Sequence, residues 1–178
     1  MKKGFTLIEL VIVIGILAIL ATVVVLVLNP AQMLAQARDS QRMSDLGSIK
    51  SAIALYLATA TSTTITAAQR STFSTTCWFG TACAAGAATC TIASTTVDGT
   101  GWVAVNLTGT TGGSPLSALP LDPSQTAIYQ YAYNGEDTNK TFELNAQLES
   151  TKYFGLEATD GGNCTDIYEV GTDAGLNL

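Results

Sequence analysis

Residues 1–28 read MKKGFTLIELVIVIGILAILATVVVLVL, and the rest of the chain is organised around them. Lys2 and Lys3 precede the apolar run, and between Leu10 and Leu28 the one conventionally polar side chain is Thr22. Those 19 residues, at about 1.5 Å of helical rise each, span roughly 28 Å, close to the hydrocarbon thickness of a bilayer. The basic flank favours the cytoplasmic side and sends the remainder outward. A cleaved secretory signal is one alternative, but the run is longer than a usual signal core and no small-residue cleavage site closes it. An uncleaved signal anchor describes the apolar run better, yet it leaves Glu9 unexplained. A carboxylate near the start of a membrane helix is costly unless it is neutral, reaches the interface or finds a partner, and such residues generally have a function.

Glu9 stands five residues after Gly4, in Gly4-Phe5-Thr6-Leu7-Ile8-Glu9. A short basic leader ending in Gly, followed by FTLIE and an apolar helix, resembles the processing signal of the type IV pilin superfamily, which includes the pseudopilins of type II secretion systems. The resemblance implies that prepilin peptidase cuts between Gly4 and Phe5 and N-methylates the new Phe5 amine. It also implies that Glu9 is the acidic residue recognised in assembly. The charges suit those roles. Cleavage creates a positive amine one helical turn from Glu9, and in a staggered bundle Glu9 of one subunit neutralises the Phe5 amine of the next. Pairing removes two lone charges from lipid and so favours one register.

After Leu28 the text becomes NPAQMLAQARDSQRMSDLGSIKSAIALYLAT. Met43, Leu46, Ile49, Ile53 and Tyr56/Leu57 recur at three- and four-residue steps, the mark of an amphipathic helix. Arg38, Asp39, Arg42, Asp45 and Lys50 are interspersed as on a partly exposed face. One helix from about Phe5 to Ala58, roughly 80 Å long, is the expected product. Pro30 can kink or loosen it, and Gly47 weakens it by about 1 kcal/mol relative to Ala. The pattern SDLxxIxxAIxxY at Ser44, Asp45, Leu46, Ile49, Ala52, Ile53 and Tyr56 is similar to the corresponding stretch of major pseudopilins. One departure is that many pilins place a proline where this chain has Val25 and Leu26.

Residues 59–114 are rich in Ser, Thr, Ala and Gly and carry only two charges, Arg70 and Asp98. Cys77, Cys83 and Cys90, with Trp78, Phe79 and Trp102 nearby, suggest a loop-rich, cross-linked cover rather than a disordered linker. Together with Cys164 they favour two disulfides in an oxidising compartment, with three pairings open. In every one Cys164 closes a long loop of about 75–88 residues, worth roughly 4–5 kcal/mol in the chain-entropy model. A four-thiolate metal site lacks paired short spacings. Ser/Thr density permits O-glycosylation. Asp137-Thr138-Asn139-Lys140-Thr141 matches the acidic bacterial N-glycosylation pattern, but a solvated turn is the reading preferred there.

Trp102–Leu107 alternates like a half-buried strand. Thr111–Pro115 reads as a turn, and Leu119-Pro120-Leu121-Asp122-Pro123 as a rigid loop. Ala127–Tyr133 and Lys140–Leu148 form a predicted hairpin around residues 134–139. The Pro-x-Asp-Pro run followed by Tyr129-x-Tyr131 also resembles major pseudopilins. The fold class expected is α+β, with a long amino-terminal helix packed on a small antiparallel sheet head that carries disulfide-linked loops. The divisions are a leader at 1–4, a transmembrane or filament-core helix at 5–28, an amphipathic helix at 29–58 and a head at 59–178.

Residues 98–178 hold eleven Asp/Glu against two Lys. Asp160-Gly161-Gly162-Asn163 followed by Asp166 resembles the acidic, calcium-binding loop of major pseudopilins. Hard oxygen ligands suit that ion, but the loop is short, no EF-hand spacing is present, and Cys164 inside it offers a structural disulfide instead. No cofactor is otherwise expected.

Composition narrows the function further. The chain has 178 residues, no histidine, a formal charge of −6 and a mean hydropathy of +0.31. The missing histidine excludes His-based triads and His metal ligands. The acidic balance argues against nucleic acid as the main partner. No nucleophile elbow, P-loop or paired-carboxylate motif points to an enzyme. The expected function is structural. The chain enters the cytoplasmic membrane as a single-pass precursor and, once trimmed, polymerises with its own copies into a helical surface filament. The resemblance adds an assembly platform and a motor ATPase as indirect partners. A major pseudopilin working in protein secretion, within the envelope, is the alternative, and a minor pilin with an adhesive or DNA-binding role is another.

Overall fold

The computed structural model describes residues 4–79, 88–173 and 175–178. Lys2, Lys3 and Cys83 therefore lie outside the described residues. Helix α1 spans Leu7–Leu28 and begins at Thr6. Thr6 Oγ1 accepts the Glu9 N–H at 3.3 Å, while Glu9 Oε2 accepts the Thr6 N–H at 2.8 Å. This reciprocal capping box satisfies donors that a helix start otherwise leaves open. Along α1 every described side chain is exposed. Among the described residues this is where a helix is long and apolar enough to cross a membrane.

The expected long helix runs over residues 7–59 with a break at one residue. Asn29 ends α1 in left-handed backbone (φ 40°, ψ 73°), and α2 spans Pro30–Thr59. Asn29 tolerates that conformation better than most residues, and its Oδ1 accepts the Gln32 N–H at 3.4 Å. Pro30 then takes the first position of α2, where its missing N–H costs nothing. A proline here restarts a helix rather than bending one.

The chain forms two compact units, one ending at Ala35 and one beginning at Gln36. The second holds the α+β head. Its main sheet runs in the order β4-β1-β5-β6-β7, made of Thr91–Ile92, Arg70–Ser71, Tyr131–Glu136, Thr141–Ala146 and Tyr168–Gly171. All neighbours are antiparallel except β1 with β4. The hairpin β5–β6 has a tighter turn than expected, with Glu136 paired to Thr141. Small strands β2 (Thr76–Cys77) and β3 (Ala88–Thr89) form a separate ribbon, and the Cys77–Cys90 disulfide spans its end with Cα atoms 6.0 Å apart. Cys164 is disulfide-bonded as well.

One sheet face carries Tyr131, Tyr133, Phe142, Leu144 and Ala146 against Leu46, Ile49, Ile53 and Tyr56 of α2. The predicted stripe of α2 thus forms the core, though Met43 is only half-buried. Trp102–Val105 is buried there too, but it is not a strand. Four successive side chains are enclosed on all sides, Trp102 Nε1 donates to the Pro120 carbonyl at 3.0 Å, and a short 3₁₀ helix follows at Leu107–Gly109. The neighbouring bend admits only glycine at 101, because an added Cβ would collide with the Thr96 carbonyl and sit 2.8 Å from Leu119 Cδ1.

The opposite sheet face is polar and covered. Glu143, Asn145 and Glu169 are buried on it, next to clusters formed by Cys77, Phe79, Cys90 and Ala132 and by Trp78, Cys164 and Ile167. On the outward side of α2, Ser48, Ser51 and Thr59 each donate to the carbonyl four residues earlier, at 2.8–2.9 Å.

Candidate functional site

The amino-terminal segment brings Gly4, Phe5 and Glu9 together on one short stretch. Phe5 is 88% exposed. A Cβ placed on Gly4 would meet nothing within 4 Å, so the fold itself does not require glycine at that position. Glu9 uses Oε2 for both capping contacts, to the Thr6 N–H and to Thr6 Oγ1 at 2.7 Å, which leaves Oε1 outside the capping box. The Thr6-x-x-Glu9 spacing is a recognisable cap signal that reading Glu9 purely as an assembly residue misses.

A second polar constellation lies within the head unit. Arg42 and Asp39, expected on an exposed face, are both fully buried. Arg42 Nε donates to Asp122 at 2.6 Å, Nη1 to Asp39 at 2.8 Å and Nη2 to Glu149 at 2.6 Å and Ser124 at 3.1 Å. The guanidinium also lies 4.9 Å from the centre of the Tyr129 ring. Arg38 forms a further ion pair with Glu149. Asp39 in turn accepts the backbone N–H groups of Glu149 and Ser150 at 2.9 and 2.7 Å. Burial disfavours the Arg42 charge, but Asp122 and Glu149 outweigh it and raise its pKa. For Glu149, burial works upward, yet Arg38, Arg42 and Ser124 hold it down to about 2. Helical spacing carries no information about partners 80 and 107 residues away, so Asp122 and Glu149 escape a sequence reading.

The acidic loop is arranged as a turn. Asp160 accepts the Gly162 N–H at 2.9 Å and the Glu169 N–H at 2.7 Å, while Asn163 and Asp166 are exposed. Among the described residues no three acidic, Cys or His side chains gather closely enough to hold a metal ion. Asp160 thus caps the backbone of the turn from both sides.

Behind that loop, Glu143 accepts from Asn145 Nδ2 at 2.6 Å and from the Leu178 N–H at 2.9 Å, and Glu169 accepts the Cys164 N–H at 2.8 Å. Burial pushes the Glu143 carboxyl up to about 7 and Glu169 up to about 8.

Comparison with known proteins bears on the amino terminus. Residues 1–25 match the family described as a prokaryotic N-terminal methylation motif. The chain carries a prepilin-type signal. That signal is the amino-terminal mark of type IV pilin-like precursors, and it coincides with the exposed apolar helix and its capped start. No curated protein and no solved structure shows significant similarity to the chain.

Proposed function

We propose that this prepilin-like chain is a structural subunit of a type IV pilus-like filament, with no catalytic role. In this reading prepilin peptidase cuts between Gly4 and Phe5 and methylates the Phe5 amine, and the subunits polymerise through α1. The observation that carries the reading is an apolar helix exposed on every side whose start is capped by Thr6 and Glu9 inside a prepilin-type signal. Such a helix needs lipid first and other helices afterwards, since its exposed apolar surface is stable in neither water nor isolation. The indifference of the fold to glycine at position 4 supports selection there by an enzyme's cleft. Glu9 Oε1 then meets the cleaved amine of a neighbouring subunit, and that pair sets the stagger.

The test is intact-mass and amino-terminal analysis of sheared surface filaments and washed envelopes, for the native chain and for Glu9→Ala. A chain starting at N-methyl-Phe5 in sheared filaments supports a surface pilus. Restriction of that processed chain to envelopes points to a secretion pseudopilus. The Glu9→Ala chain is expected to be cleaved but to give filament yields reduced at least tenfold. Normal yield removes the register mechanism, and an uncut Met1 species throughout removes the whole reading.

A further inference from the structure

The contact between α2 and the head divides sharply in its chemistry. From Leu46 onward α2 supplies Leu46, Ile49, Ala52, Ile53 and Tyr56 to the main apolar core, whereas residues 36–45 supply nothing to any apolar cluster. Those ten residues meet the head through charges and hydroxyls. Arg38 and Arg42 hold Glu149, Arg42 holds Asp122, and Asp39 holds two backbone N–H groups. Ser40 lies 3.3 Å from the Tyr153 hydroxyl, and Asp45 accepts the Tyr131 hydroxyl at 2.8 Å.

We infer that residues 36–45 of α2 form a separable polar latch, barred by Arg42, that opens from the head while the apolar root at 46–57 stays docked. The energetics of the two halves differ in kind. Opening the root exposes apolar surface, at a cost that grows with the area uncovered. Opening the latch returns ions to water, and the hydration regained offsets much of the lost Coulomb attraction. The latch therefore lies at the low end of the local-opening scale, and the root belongs to global unfolding. Arg42 is the common member: it is wholly buried and joins α2 to two separate head segments. A joint of this kind lets the helix shift against the head at constant apolar burial.

Amide exchange of the full chain in detergent micelles, read by NMR along a urea series, tests this. The Glu149 and Ser150 amides rest on Asp39 and report the latch, and the β5–β6 ladder reports the root. In the native chain the latch amides are expected to exchange at least tenfold faster than the ladder, with a shallower dependence on urea. Asp122→Asn keeps an oxygen for the Ser124 and Gln125 N–H groups while removing the charge that anchors Arg42. It is expected to accelerate the latch amides a further tenfold and leave the ladder unchanged. Equal urea slopes in the native chain overturn the inference, whatever the stability of the variant. Unchanged latch amides in Asp122→Asn overturn it too, because Arg42 is then not the bar.

Discussion

Arg42 shows how much a single side chain can decide. It sits among three carboxylates, those of Asp39, Asp122 and Glu149, and is fully buried. Removing it leaves Asp39 and Asp122 without their cation, so Arg42→Ala is expected to open the latch, read as faster exchange of the Glu149 and Ser150 amides. It is expected to lower the urea midpoint by less than the ~3–5 kcal/mol of a charge that stays buried. Acid acts on the same group through Glu149. Its folded pKa is depressed to about 2, so its contribution is present above the ordinary carboxyl range and is lost as pH falls from about 4.5 toward 2. The Arg42→Ala chain is expected to lose only part of that acid sensitivity, because Arg38 and Ser124 still hold Glu149.

Strands β6 and β7 carry the opposite pH dependence. Glu143 and Glu169 are raised by burial to about 7 and about 8, so the folded chain binds their protons more tightly than the unfolded chain does. Stability from this pair is complete below about pH 4 and is lost as pH rises through the folded values, at up to about 1.4 kcal/mol per pH unit for each proton. Glu169→Gln is expected to flatten the decline between pH 5 and 8 in urea unfolding, and an unchanged slope would place the linked protons elsewhere. With Glu149 pulling the other way below the ordinary carboxyl range, the head is expected to be most stable at about pH 4.

At the scale of the molecule, a chain starting at Gln36 is expected to fold and remain soluble, because the head unit begins there and its core draws on α2 only from Leu46 onward. Its melting temperature should lie within a few degrees of the full chain's in detergent. Failure of that fragment to give a cooperative melt would mean that the apolar helix contributes to folding the head. Much of this organisation is legible in the chain. An unbroken apolar run marks α1, a stripe at helical spacing marks the docked part of α2, and alternating residues mark β5 and β6 to within four residues at each end. The segment at 102–105 is misread because alternation presumes one wet side, and here all four side chains are enclosed. Among the charged residues of α2, Asp39 and Arg42 are misread because burial depends on partners that only the folded chain brings near. The break at Asn29 shows how a proline signal can mark a beginning.

The outward hydroxyls of α2 have one more consequence. Any hydropathy scale scores Ser48, Ser51 and Thr59 as water-seeking, yet each has already donated its proton to its own helix. A hydroxyl whose donor is satisfied at home leaves little unpaired when the surrounding water departs. That side of α2 is therefore amphibious, polar by composition but nearly indifferent to being dried.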